Sequence, residues 1–541
     1  MNRPANASPW APLYEPAFRN LWLAVLLSNI GTWIDSVATA WLVVELSGSA
    51  AMLGLAQAAQ TAPMVLLALL AGALADVVDR RRYLLLTQLW MLLVASTLAL
   101  FAHQGWLTPW LLVGLSFALG IGNALAMPAQ NATTPELVPR PLLGSAVALQ
   151  SLSMNVARAL GPALGGLVLA QFGAAWAYGL NALSYVGLLF VLWRWRRAPT
   201  ADSLPPERLG GALAAGLRYV RGAPLFRAVL WRAALFFLFA SALPALLPLV
   251  ARDQAHGGPY AYGLLLASIG IGAIVGALLL PRIKARVDRD HLVLGASVLY
   301  ALTMIASALI DRLAGLVPAA LVAGLAWIGV LASLQVAAQT SVPAWVRARA
   351  LAMYIVVFSL GQAVGSLLWG SVAQRYGVDA ALLAAAIGGV LASLAALRWR
   401  IAGAEAMDLT PSAHWPQPVA VAEVPGERAP ALVTIEYRVP LAQRREFLAL
   451  MAQLGRVRRR DGALDWQVAE DVAEPGSYVE VFHLGSWLEH QRQHQRVTAE
   501  DRALQQRIAA LLVDGVTPRV RHYVGGDPHD PIAPHSPGAD I

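Results

Sequence analysis

Four polar residues, Ser28, Thr32, Asp35 and Thr39, stand at i, i+4, i+7 and i+11 in an otherwise apolar run, on one narrow face if that run is a helix. Ser151, Asn155, Arg158 and Pro162 repeat the spacing in a later run. A carboxyl in such a setting is a proton carrier in principle, because burial and a basic partner act on its ionisation in opposite senses. Asp35 is therefore the coupling candidate, with a structural ion pair or a water-exposed cavity residue as the alternative reading. Arg158 either binds an anionic substrate or fixes helix packing. Thr32, Asn155, Asn123, Gln335, Gln339 and Gln362 are further substrate-binding candidates inside apolar runs, where an unpartnered polar group facing lipid costs several kcal/mol, about 2–7. Glu45 lies near the end of the first run and reads as interfacial.

These residues need a particular scaffold. Of 541 residues, 57% are hydrophobic and 13% charged, and the mean hydropathy is +0.56. That excludes an ordinary soluble enzyme and a disordered chain. No cysteine is present, which excludes disulfides, thiolate metal sites and iron–sulfur clusters. Twelve apolar runs are long enough to cross a bilayer as helices: 19–46, 53–75, 83–102, 108–128, 143–170, 175–195, 225–250, 260–281, 291–310, 314–340, 350–373 and 378–400. The first is too long and too polar for a cleaved signal peptide.

The net charge of +8 and the pI near 10.0 suggest nucleic acid until the charges are located. Residues 1–400 hold 26 basic against 13 acidic side chains, and residues 401–541 hold 14 against 19. Within the apolar part, one set of alternate loops carries eighteen Arg and Lys and the other three. The positive-inside bias then puts both termini in the cytoplasm of a multi-pass protein of the inner (cytoplasmic) membrane and makes nucleic acid unnecessary as a partner.

A shift of 204 residues superimposes Gly72-Ala73-Leu74 on Gly276-Ala277-Leu278, Val138-Pro139 on Val342-Pro343, Gly161 on Gly365, Gly166 on Gly370 and Gly173 on Gly377. One register shared by separated blocks implies a six-helix unit used twice. The expected domains are a six-helix bundle over 1–195, a linker with an amphipathic helix over 196–224, a second bundle over 225–400, a Pro-rich linker over 401–430, a soluble domain over 431–525 and a disordered end over 526–541.

After the second run the chain reads Gly72-Ala-Leu-Ala-Asp76-Val-Val-Asp79-Arg80-Arg81-Arg82-Tyr-Leu84. It resembles the signature loop of the major facilitator superfamily, with Val77 and Asp79 departing from the usual Arg and Gly. The resemblance implies a gate at Gly72, Asp76, Arg80 and Arg81, where a carboxylate and arginines form charge-assisted bonds in one conformation and release them in another. Gly161, Pro162, Gly165 and Gly166 resemble that superfamily's antiporter motif, which favours export. Its helix-4 arginine is replaced here by Ser116. Asn29-Ile-Gly31-Thr32-Trp33, Glu136-Leu-Val138-Pro139 and Asn155-Val-Ala-Arg158 resemble the transmembrane secretion effector branch, which includes siderophore exporters of the enterobactin type. In that fold the first and fifth helices border the central cavity, so Asp35 and Arg158 are expected to face one another.

Beyond Pro430 the pattern predicts strand 431–439, helix 440–459, strands 464–470 and 477–484, helices 486–494 and 498–512, and strand 518–524. This order resembles the ferredoxin-like module of antibiotic-biosynthesis monooxygenases. His490 and His494 share a helix face there, near His483 and Trp466, but a histidine pair alone is an incomplete metal site. No cofactor and no metal is therefore assigned, and the module reads as one for self-association or regulation.

The expectation is an all-α membrane protein of two six-helix bundles plus a soluble α+β domain. It would export an amphipathic small molecule by alternating access in exchange for protons, with no enzymatic activity, and no ATP-binding G-x-x-x-x-G-K-[ST] run occurs. The rival is a membrane-tethered enzyme or sensor whose soluble domain carries the activity.

Overall fold

The computed structural model describes residues 8, 10–195, 218–343, 345–401, 403, 407–410, 412, 414–415, 430–513 and 515–524. Most of the expected linker helix, the Pro-rich linker and the C-terminal end lie outside them.

Among the described residues, twelve apolar helices are long enough to cross a membrane. They are α1 (Pro16–Ser47), α2 (Ala50–Val77), α3 (Arg80–Gln104), α4 (Pro109–Leu137), α5 (Leu143–Phe172), α6 (Ala174–Arg194), α7 (Pro224–Gln254), α8 (Pro259–Lys284), α9 (Arg289–Leu309), α10 (Leu313–Thr340), α11 (Arg347–Tyr376) and α12 (Val378–Ala395). α7 breaks at Ser241 into Pro224–Ala240 and Ala242–Leu249 and ends in a π-turn. Leu66, Leu86, Leu183, Leu278 and Leu391 are all more than half exposed, which suits a surface solvated by lipid rather than water.

Polar residues between the runs set where each helix begins. Ser49 accepts from the Met52 amide, Thr108 from Leu111 and Asp288 from Asp290 and His291, each satisfying an orphan donor of a first turn. Asp79 does the same for α3, accepting from the Arg82 amide at 2.9 Å. That gives the carboxylate a local role at a place where the superfamily pattern has glycine. α1 ends on Gly48 at φ +59°, a left-handed stop that a side chain rarely adopts.

The helices and the tail fall into two compact units. The first comprises residues 1–205, 230–336 and 352–400. The second comprises 206–229, 337–351 and 401–541, so the tail groups with the chain leading into α7 and with the turn between α10 and α11.

In the second unit, β1 (Ala431–Arg438), α13 (Arg444–Arg460), β2 (Asp465–Glu470), β3 (Ser477–Leu484), α14 (Trp487–Arg496), α15 (Ala499–Ala509) and β4 (Arg519–Val524) form an antiparallel sheet in the order β2-β3-β1-β4 with helices packed on it. This is the β-α-β-β-α-β arrangement read from the sequence. Alternation along β1 buries Ala431, Val433, Ile435 and Tyr437, against Phe447, Leu450, Met451 and Leu454 of α13.

A buried ion pair ties α13 to β3 in this core. The guanidinium of Arg458 donates to fully buried Glu480 at 2.9 Å, and Tyr437 and Trp466 donate to the same carboxylate at 2.7 and 2.9 Å. Burial alone would raise the Glu480 pKa, but Arg458 and these hydrogen bonds hold it below the usual carboxylate range. The stability it contributes is present above the pKa of an unfolded glutamate and is lost as pH falls through the lowered folded value. Glu480→Gln leaves Arg458 buried without its counter-charge, a loss of about 3–5 kcal/mol. Hydrogen exchange of the β1 and β3 amides in the full chain is expected to speed up by roughly 100-fold or more, and unchanged protection would refute this role.

The turn at Trp345 and the segment before α7 pack on the same domain. Trp345 meets Tyr219 edge-on at 5.7 Å, and the Arg496 guanidinium lies 4.4 Å from its ring. Arg460 covers Tyr219 at 5.5 Å while donating to Asp461 and Asp501 at 2.7 and 2.9 Å.

Candidate functional site

The polar face of α1 is turned toward α6. Gly31 makes the approach close: a Cβ there would lie 2.8 Å from Ser184 Oγ and 2.9 Å from Asn181 Oδ1. Around it the two helices pair in sequence. Thr32 Oγ1 donates to the Ser28 carbonyl at 2.9 Å and lies 3.4 Å from the Tyr185 hydroxyl, Asp35 pairs with the Asn181 side chain, and Thr39 meets the Tyr178 hydroxyl at 3.1 Å. Asp35 is 3% exposed, and its Oδ1 has no hydrogen-bond partner among the described residues. The site is thus a buried acid set in a ladder of hydroxyls and one amide.

Tyr178, Asn181 and Tyr185 are the residues that sequence reasoning missed. Their i, i+3, i+7 spacing was the available signal, hidden because tyrosine in an apolar run reads as an interfacial or core residue.

Among the described residues the structure holds no ion pair between Asp35 and Arg158. Arg158 is half-buried, where α5 crosses α8: a Cβ on Gly270 would lie 2.7 Å from the Arg158 carbonyl. The Asn155 amide donates to the Ser151 carbonyl of its own helix at 3.0 Å. Asn123 and Gln335 are exposed, while Gln339 and Gln362 are half-buried, so these amides are not gathered around Asp35. The reason is rotational: α1 spends its polar stripe on α6, and spacing within one helix fixes a face but not the neighbour that face meets.

Glycines carry the contacts between the two six-helix halves. A Cβ on Gly166 of α5 would sit 2.8 Å from the Pro259 carbonyl and 2.9 Å from the Cα of Gly263 in α8. A Cβ on Gly54 of α2 would collide with the Ser366 carbonyl of α11 and lie 3.2 Å from the Cα of Gly370. Ser49 donates to Gln374 at 2.9 Å, and Arg252 of α7 donates to the Val44 carbonyl of α1 at 3.3 Å. All these contacts lie near the helix ends opposite the side where α1 begins and α12 ends. Gly161 and Gly165 instead receive α1, through Trp33 and through Ile34 and Val37. Pro162 is embedded in the same helix, and its carbonyl faces Gly263. The antiporter-like run is therefore a two-sided packing surface.

On the side of the termini, Arg80 pairs with Glu136 in the last turn of α4 at 2.5 Å. Arg81 donates to the Leu192 carbonyl at 3.0 Å and to that of Trp193. Together they tie the start of α3 to α4 and α6. Gly72 and Asp76 fall in α2, but their side-chain environments lie outside what is described.

A family model for transmembrane secretion effectors matches residues 7–528, which takes in both helical halves and the soluble domain. The chain belongs to the transmembrane secretion effector family. Among curated proteins, the chain is 25% identical over 281 residues to the staphyloferrin A transporter of Staphylococcus aureus, covering 51% of this chain and 70% of that protein. It is 30% identical over 266 residues to the enterobactin exporter of Salmonella typhimurium, covering 49% of this chain and 63% of that one. The chain thus matches less than two thirds of the length of the enterobactin exporters. Among solved structures, a bacterial homologue of the human lysosomal transporter Spinster in an inward-facing, unoccupied conformation superimposes with a TM-score of 0.59 at 16% identity, over 73% of this chain and 97% of that one. A D-xylose–proton symporter gives 0.55 at 15% identity, over 70% and 97%. These likenesses establish the major facilitator fold.

Proposed function

We propose that this secretion effector is a secondary active exporter of the cytoplasmic membrane, moving an amphipathic small molecule of the siderophore, drug or secondary-metabolite class outward in exchange for protons. The observation that carries the reading is the pair of glycine seams, α5 on α8 and α2 on α11, at one end of the two halves. Backbones that meet over glycine can slide and part without side chains to withdraw, which suits two rigid halves rocking about a central site. The arginine excess in the loops beside the termini favours an outer position for the seams, and in this reading the described conformation is the one closed outward.

Asp35 is the coupling group in this reading. It sits beside the α1–α5 packing surface, so movement of α5 changes what surrounds the carboxyl and with it the balance between its charged and neutral forms. Asn181 of α6 partners it, and Arg158 lies on the helix whose shift it would sense. Arg80, Arg81 and Glu136 keep the cytoplasmic ends of the N-terminal half together as that half moves. The small-molecule relatives named above favour an iron-chelating metabolite as cargo. The soluble domain, packed on Trp345 and Tyr219 at chain segments that lead into α11 and α7, would act as a regulator of the C-terminal half.

A membrane-tethered enzyme is the second reading, favoured by the cavity in the soluble domain described below. Deleting residues 408–541 separates the two. Export retained above one tenth of the full-chain rate supports the exporter, and complete loss of export with chemistry recovered in the tail supports the rival.

A further inference from the structure

We propose that His490, His494 and His522 of the soluble domain form a binding site for a divalent transition-metal ion of the zinc type, with one coordination position open to the domain's cavity. The sequence shows only the pair on α14. The fold supplies the third member: β4 pairs with β1 so that His522 stands opposite Val433 and Val520 opposite Ile435, and all four residues line the cavity that α14 and α15 also border.

The geometry is close to that of an occupied site. His490 Nε2 and His494 Nε2 lie 3.2 Å apart, and one ligand nitrogen from each of the three rings lies within 4.8 Å of the others. Metal–nitrogen bonds of about 2.0–2.1 Å in a tetrahedron require nitrogen pairs roughly 3.3–3.4 Å apart. The first pair already meets that spacing, and the His522 nitrogen, within 4.8 Å of both, would have to close by up to about 1.5 Å to reach it. The rings are held from outside by aromatic packing: Trp487 lies 5.3 Å from His490 and 6.1 Å from His522, and Trp415 lies 5.0 Å from His494.

Three imidazoles without cysteine or carboxylate suit zinc, cobalt, nickel or iron(II) and disfavour magnesium and calcium. Three protein ligands also leave a fourth position. It faces a cavity of about 880 Å³ lined by apolar Val433, Ile435, Leu454 and Phe482 and by Arg458 and Arg502. The site therefore has room for an exchangeable water or an anionic small molecule on the ion. The competing explanation for the 3.2 Å approach is a single N–H···N hydrogen bond between His490 and His494, which requires no third histidine.

Cobalt(II) distinguishes them. The full chain, purified in detergent without affinity-tag histidines and stripped with EDTA, is titrated with Co²⁺ and followed by visible absorption. The expected result is the intense d–d spectrum of a four- or five-coordinate ion, saturating at one ion per chain and displaced by Zn²⁺. His522→Ala should weaken binding by about 100-fold or more, whereas His483→Ala, on the surface beside Asp465, should not change it. A pale six-coordinate spectrum with the unaltered chain, or equal affinity in His522→Ala and the parent, overturns the proposal. The spectrum of the unaltered chain decides the question even if a variant fails to fold.

Discussion

Asp35→Asn is expected to abolish efflux driven by a pH gradient while leaving substrate binding and substrate–substrate exchange in place. Asn has nearly the shape of Asp and can still hydrogen-bond to Asn181, so the α1–α6 ladder and the close approach at Gly31 persist. What disappears is the ability to carry a proton. A fixed neutral group allows the halves to move with substrate bound but removes the link between that movement and the gradient, so the loss in gradient-driven rate should exceed about 100-fold. Thr39→Val removes one hydroxyl contact to Tyr178 and should cost only about 1 kcal/mol of helix packing, with coupling retained. Proteoliposomes with an imposed pH gradient provide the measurement. Undiminished gradient-driven transport by Asp35→Asn would remove this residue from the mechanism.

Gly54→Val should open the seam between α2 and α11, and Gly166→Val that between α5 and α8. The new Cβ on residue 54 would meet the Ser366 carbonyl, and that on residue 166 would lie 2.8 Å from the Pro259 carbonyl. Backbone carbonyls cannot rotate aside as a flexible side chain can, so the helices must separate. Even a few kcal/mol of such strain reverses the ratio of two conformers, since about 5.5 kcal/mol carries an equilibrium from 1:99 to 99:1. The parent chain has no cysteine, so spin labels at Trp106→Cys just beyond α3 and Leu309→Cys at the end of α9 report the distance between halves without background. Both positions are well exposed, at 60% and 71%. The expected result is a longer distance and slower transport in either glycine variant. An unchanged distance distribution with full transport would show that the seams are passive packing.

The twelve spans were legible because length and hydrophobicity alone define a membrane helix: the first apolar run, read at 19–46, is Pro16–Ser47, and the sixth, read at 175–195, is Ala174–Arg194. The sheet of the tail was legible because alternation along β1 and β3 has a period of two, and these strands fall at Ala431–Arg438 and Ser477–Leu484 against readings of 431–439 and 477–484. Side-chain partnerships between distant elements were not legible. Asp35 was expected opposite Arg158 and pairs instead with Asn181, because helix rotation is fixed by packing that includes Gly31 and Ser184. Glu136 was noticed as part of a run shared with relatives, but its role as the counter-charge of Arg80 depends on how α4 returns beside α3. His522 could not be joined to His490 and His494 without the register of β4 on β1. Each of these pairings is a property of tertiary contact, to which periodicity along one segment is blind.

Export of a small amphipathic molecule is tested most directly by comparing the metabolites released by cells with and without this chain, together with siderophores and lipophilic drugs supplied to both. The proposed function predicts a class of compound that accumulates outside only when the chain is present, retained inside when it is absent, with the difference collapsing when the pH gradient is dissipated. Identical internal and external pools in the two strains, across siderophores, drugs and endogenous metabolites alike, would contradict it.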